Sequence, residues 1–162
     1  MEKKILVAYF SVSGITKEYA VTLALKLGAD LYEIEPAQPY TEADLDWNDR
    51  NSRCVKEWKD KSCRPEIRTS VPDMSQYDTV FIGYPIWWES SPNIIYTFLE
   101  SYNFSGKTLI PFSTSGGSIR GSAGTHLHKY TSATAIWKRG KLMRSGHDLQ
   151  ELAAWAARAA WI

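Results

Sequence analysis

Short unbroken apolar runs alternate along this chain with longer stretches in which apolar residues return every third or fourth position. The first run, residues 4–10 (KILVAYF), predicts a buried strand, because it is rich in Ile, Leu, Val and Tyr and too short for most helices. Residues 16–27 carry the helical period, with Tyr19, Ala20, Leu23, Ala24 and Leu27 on one face and Gly28 to end it. A second strand is expected over 30–35, stopped by Pro36 and Pro39. Residues 36–76 are polar and irregular, with a helix expected around 42–60, and Pro65 and Pro72 return the chain to order. The pattern then predicts a strand at 78–84, a helix at 92–102, a strand at 107–113, a helix around 119–130 and a short strand near 134–138. A final helix is expected at 148–161, capped by Asp148 with Glu151 three residues on. No internal repeat is visible.

Strands alternating with helices imply a parallel sheet covered on both faces, with right-handed crossovers. Five such strands suit a doubly wound, three-layer α/β/α fold in the order 2-1-3-4-5. The expected organisation is one domain over 1–162 with an insertion at about 36–76 after the second strand. In such sheets ligands sit beyond the carboxyl ends of the strands, at the switch between strands one and three. The loops beginning at Ser11, Pro85 and Ser113 are therefore the candidate site.

Charge and composition mainly exclude. The chain has 162 residues, 19 basic against 18 acidic, for a formal net charge of +1. That balance gives no footing for nucleic acid or an anionic membrane. No apolar stretch reaches membrane-spanning length, and the start MEKK enters strand-like sequence at once, without a signal peptide, so a cytoplasmic protein is expected. Cys54 and Cys63 have neither metal nor redox spacing and read as isolated thiols. His126 and His128 read as surface or satisfied core residues, with no chemistry assigned.

Each loop has two readings. Ser11-Val12-Ser13-Gly14-Ile15-Thr16 is either an ordinary hydroxyl-capped helix start or a phosphate seat. A helix N-terminus exposes unpaired N–H groups and carries about half a positive charge. The segment lacks the Gly-Lys-Ser/Thr of a P-loop, the three-glycine dinucleotide spacing, a cysteine nucleophile, and the acidic residues of a phospho-acceptor. What remains is a monoester phosphate held by neutral donors. Pro85-Ile86-Trp87-Trp88 sends two adjacent indoles out of a core strand. Neighbouring residues do not both point inward, so one is left for a stacked planar ring or for an oligomer contact. Thr114-Ser115-Gly116-Gly117 is either backbone that wraps the edge of a heterocycle or a flexible linker.

The motifs YFSVSGITK, EIEPAQPY, YDTVFIGYPIWW and GKTLIPFSTSGGS, in this order and nearly spanning the chain, resemble the flavodoxin-like family of FMN-binding proteins, specifically the short bacterial flavodoxins. Against that family's Ser-x-Thr-Gly-Asn-Thr, Ser13 keeps the hydroxyl and Ile15 loses an amide while still offering its N–H. The resemblance implies that Ser11, Val12, Ser13, Gly14, Ile15 and Thr16 hold the FMN phosphate. It implies that Pro85, Ile86, Trp87 and Trp88 line one side of the isoalloxazine, and that Thr114, Ser115, Gly116 and Gly117 meet its pyrimidine edge. The redox chemistry would belong to the flavin. An aromatic pocket would lower its potential and Arg120, if within reach, would raise it.

Three functions follow from the resemblance. One is an electron carrier working with a redox partner protein. Another is an NAD(P)H-dependent FMN reductase acting on a quinone or similar small acceptor. The last is a flavin-free scaffold. Carrier members of the family are strongly acidic, and this chain is not. Tyr40, Trp47 and Trp58 give the 36–76 segment means to pack over the sheet end or against a second subunit, as a homodimer.

Overall fold

β1 (Ile5–Tyr9) is buried along its whole length, so its alternating side chains must meet protein on both sheet faces. The computed structural model describes residues 4–115, 120–144 and 146–161. β1 lies parallel between β2 (Asp30–Glu33) and β3 (Thr79–Pro85). Next to β3 comes β4 (Thr108–Thr114), then β5 (Ile136–Trp137), which gives the expected order β2-β1-β3-β4-β5. One face buries Ile5, Val7, Tyr9, Phe81, Ile110 and Phe112 beneath α1 (Ile15–Leu27) and α4 (Gly146–Trp161). The other buries Leu6, Ala8, Phe10, Val80, Ile82 and Tyr84 beneath α3 (Asn93–Glu100) and part of the 36–76 segment. Each fully buried Phe or Leu contributes about 1.5–3 kcal/mol.

A sixth strand, β6 (Lys141–Met143), pairs with the same edge of β4 as β5, nearer its carboxyl end. The cause is Pro111. Ile136 N–H donates to Lys107 O at 2.8 Å and Lys138 N–H to Leu109 O at 2.9 Å, so Pro111 is next on that edge. It has no N–H to return. Gly140 N–H turns away to Ala123 O at 2.9 Å, and the chain adds one residue before the ladder resumes at Phe112–Lys141.

Several expected elements are shorter or divided. The helix expected over 42–60 is a 3-10 turn, Ala43–Leu45, and a separate α2 (Arg53–Lys59). Between them Asp46 and Asp49 accept the N–H groups of Asn48 and Asn51 at 3.0 and 2.9 Å, an alternative to helix bonding. The helix expected over 119–130 is, within the described residues, a 3-10 helix at Thr125–Tyr130. Gly121 and Gly124, both with positive φ, break the run before it. The last helix begins at Gly146, so Asp148 lies inside its first turn and is not its cap.

The 36–76 segment leaves and returns beside β2, pinned by an antiparallel bridge between Pro36 and Ile67. Its α2 is held at the carboxyl end by buried Asn93, whose amide donates to the carbonyls of Glu57, Asp60 and Cys63 at 2.8, 2.9 and 3.2 Å. Glu57 O and Asp60 O also accept the N–H groups of Asp60 and Cys63, at 3.2 and 3.1 Å. Cys54 is buried, Cys63 half-buried, and both are free thiols. Among the described residues no helix is long and apolar enough to cross a membrane.

Candidate functional site

The three loops meet. Phe10 N–H reaches Gly83 O at 2.9 Å and Ile86 N–H reaches Thr114 O at 2.8 Å, which ties the ends of β1, β3 and β4 together. The buried hydroxyls of Thr16 and Thr114 are 2.8 Å apart, joining the first loop to the third. Gly116 and Gly117 lie outside the described residues.

The first loop is not the hydroxyl-capped helix start that its composition also allows. Gly14 occupies the cap position in the left-handed region (φ 91°), and no side chain caps the helix. Ser11 Oγ instead accepts Gly14 N–H at 3.1 Å, and the first helical bond runs from Glu18 N–H to Gly14 O at 3.1 Å. The N–H groups of Ile15, Thr16 and Lys17 therefore have no partner inside the helix. Val12, Ser13, Gly14 and Ile15 are exposed around them. This donor set suits a phosphate monoester, because no carboxylate stands between Ser11 and Lys17 and the helix dipole favours an anion.

The second loop is a tight turn. Trp87 and Ser90 exchange two backbone hydrogen bonds, at 3.1 and 3.0 Å. The central residues, Trp88 (φ 47°) and Glu89 (φ 62°), are both left-handed. For non-glycine residues such a conformation costs about 1–3 kcal/mol each, and it persists only where the surroundings enforce it. The turn sends the two indoles apart. Trp87 goes inward, edge-on to Phe10 (5.9 Å) and Tyr40 (5.7 Å). Trp88 goes outward and stacks on Trp58, with centroids 4.9 Å apart at 18°. The void lined by Trp58, Trp87, Trp88 and Ser91 is about 10 Å³, at the limit for one water, so no planar ligand fits inside it.

Around the turn stand groups the sequence reading left unassigned. Ser91 Oγ lies 3.0 Å from His126 Nε2, and Ser90 Oγ lies 3.0 Å from the Tyr96 hydroxyl. Burial, then its charged and titratable neighbours, Lys61 first, lowers His126 to about 4, leaving it neutral at pH 7. The Tyr84 hydroxyl donates to Gly121 O at 2.7 Å. A Cβ on Gly121 would stand 2.6 Å from the Glu89 carbonyl oxygen, so only glycine lets this segment approach the turn. Arg120 pairs with Glu89 at 3.3 Å, both exposed, so its charge is met there.

The 36–76 segment supplies part of the wall. The Tyr40 hydroxyl donates to Glu57 Oε1 at 2.5 Å, Arg53 Nε to Glu57 Oε2 at 2.9 Å, and the Arg53 guanidinium lies 3.8 Å over the Tyr40 ring. Burial and the Glu57 carboxylate push the Tyr40 phenol well above its ordinary range. Tyr40 and Trp58 thus pack at the sheet end as expected. Trp47, 69% exposed, does not. His128 stacks on Trp137, with ring centroids 4.9 Å apart. Among the described residues no cluster of His, Cys, Asp and Glu could hold a metal.

The flavodoxin family model matches residues 4–159, and the chain belongs to that family. It is similar to a candidate flavoprotein from Bacteroides eggerthii, 47% identical over 99% of this chain and 100% of that one, with a TM-score of 0.90. A second candidate flavoprotein, from Bacteroides uniformis, is 40% identical over 97% and 99%, with a TM-score of 0.88. A flavoprotein from Lactobacillus acidophilus, solved in complex with FMN, shares the fold at 23% identity over 96% and 99%, with a TM-score of 0.71. Among curated proteins, none matches the sequence significantly.

Proposed function

We propose that this protein binds FMN at the joined loops and carries electrons through it. The observation that bears most weight is the bare start of α1, where the N–H groups of Ile15, Thr16 and Lys17 face a carboxylate-free, hydroxyl-bearing loop. Ser11 to Thr16 then hold the phosphate, with the Ser13 hydroxyl adding a donor and the Thr16 hydroxyl spent on Thr114. Pro85 to Trp88 flank the ring, and Thr114 to Gly117 meet its polar edge. When bound, the flavin supplies the hydride and single-electron chemistry. The protein's part is to orient it and to exclude water with Phe10, Tyr40 and Trp87, which form one apolar wall. The relative from Lactobacillus acidophilus, solved with FMN, supports the choice of cofactor.

A second reading keeps the cofactor and changes the use: an NAD(P)H-dependent reductase of a quinone or similar acceptor. The net charge of +1 favours it, since a carrier gains docking speed from a strong field that this chain lacks. Stopped-flow mixing of the FMN-loaded protein with NADH and NADPH separates the two. Rapid bleaching with turnover on a quinone supports the reductase, and inertness to both nucleotides supports the carrier. The cytoplasm is the compartment proposed, and a homodimer through the 36–76 segment the assembly.

A further inference from the structure

A buried ion pair stabilises a fold only weakly, because desolvation offsets its attraction, so its presence asks for another reason. Arg53 and Glu57 form such a pair on α2 at 2.9 Å, with side chains 21% and 9% exposed. The helix itself gains little from it. The cation stands at the first position and the carboxylate in the last turn, the orientation that opposes the helix dipole. What the two residues share is Tyr40. Its hydroxyl donates to Glu57 Oε1 at 2.5 Å, the Arg53 guanidinium covers its ring, and Arg53 Nη1 donates to Gln38 O at 2.7 Å. The same ring stands edge-on to Trp87 and to Phe10, each at 5.7 Å. We propose that Glu57 is the positioning residue of the apolar wall: its carboxylate fixes Tyr40 against Trp87, and through Tyr40 it sets how tightly the site holds the flavin ring. For the flavin this rests on the FMN reading; for the hold on Tyr40 and Trp87 it does not.

The clamp is mounted where it can align both halves of the wall. Asn93, the first residue of α3, bonds to Glu57 O and Asp60 O, and it follows closely on Ser90, which closes the turn begun at Trp87. Tyr40 and Trp87 are thus both referred to the start of α3, although they lie far apart in the chain. The stretch after Tyr40 offers no such support, since its 3-10 turn and aspartate-bonded loops hold only to their own neighbours. A hydrogen bond to a carboxylate is stronger than one to a neutral acceptor, and it selects one setting of the ring. Glu57 spends both oxygens here, one on Tyr40 and one on Arg53, so losing its side chain undoes both grips.

The experiment follows the Trp87 indole N–H resonance in flavin-free protein, assigned with Trp87→Phe, because the Tyr40 ring current acts on it. Dissociation constants for FMN and riboflavin are measured on the same folded variants. In Glu57→Leu, which removes both acceptors, the Trp87 resonance is expected to move. Both flavins should weaken by the same factor, about tenfold, because the wall meets the ring and not the phosphate. Glu57→Gln, which keeps an oxygen for the phenol, should restore the resonance and most of the affinity, a rescue that a general loss of stability would not show. Tyr40→Phe leaves the Arg53–Glu57 pair in place and should reproduce the shift and the loss; in that background Glu57→Leu should add less than about twofold. An unmoved Trp87 resonance in Glu57→Leu or, should that variant not fold, in Tyr40→Phe, overturns the proposal. So does wild-type flavin affinity in these variants, or a full further loss in the double variant. A wild type that takes neither flavin sinks the FMN reading alone, and the Trp87 resonance still decides the hold.

Discussion

Gly14 holds the Ser11–Thr16 loop in a shape that side chains resist. Its φ is 91°, and a Cβ there would meet nothing within 4 Å, so Gly14→Ala has room and carries only backbone strain. That strain is about 1–2 kcal/mol. The expected outcome is a free energy of unfolding lowered by this amount, together with FMN binding weakened about tenfold as the three amides lose their common direction; unchanged affinity would separate the loop's shape from its use. Residue identity left this loop two readings in the sequence, a hydroxyl-capped helix start or a phosphate seat, and the structure removes the first, since no side chain caps the helix. The Trp87–Trp88 pair was legible as far as one indole leaving the core, and Trp88 does so by stacking on Trp58. His126 was not. Nothing in the sequence around it foretells that the chain returns after β4 to place its ring within reach of Ser91.

At the scale of elements, one side chain of α3 closes the carboxyl end of α2. Asn93 supplies the donor for three carbonyls at the end of α2, and it is 2% exposed. Replacing it with alanine removes the amide bonds to all three carbonyls, of which Glu57 O and Asp60 O keep the N–H groups of Asp60 and Cys63, at a cost of about 1–3 kcal/mol. Asn93→Ala is expected to lower overall stability by roughly that much and to speed amide exchange in 53–63 more than in β1 or β3; uniform exchange across the chain would contradict the assigned role. Element types were readable from periodicity wherever an apolar run was continuous, as in β1, β3 and β4. They were misread where local side-chain bonds compete with the period. Asp46 and Asp49 divided the helix expected at 42–60, and Pro111 divided the last strand from a position on its neighbour.

Across the whole molecule, the two sheet faces each carry tyrosines whose phenols are held protonated. Burial, followed by a hydrogen bond to Asp30, pushes Tyr77 up to about 12; burial also raises Tyr9, Tyr40 and Tyr84, the first two with help from Glu33 and Glu57. A phenol with a higher pKa in the folded state binds more protons folded than unfolded. Its contribution to stability is therefore complete below pH 10 and declines as the pH rises from 10 through 12. Denaturant midpoints measured over that range should fall, and Tyr77→Phe should make the fall shallower; an identical slope would show that Tyr77 ionises alike in both states. The parallel sheet was readable from the alternation of elements, because parallel strands need covering helices on both faces; its strand order was an inference that the structure bears out.

The central claim is that uncharged amides and hydroxyls at the start of α1, beside Thr114 and the Trp87–Trp88 turn, hold the phosphate of FMN. The most direct test is a titration of purified, flavin-stripped protein with FMN and with riboflavin, followed by flavin fluorescence quenching. Saturable quenching by FMN at micromolar concentration or below, with riboflavin at least about tenfold weaker for want of the phosphate, is the predicted result. Folded protein that leaves micromolar FMN fluorescence untouched, or that binds the two flavins equally, contradicts the account.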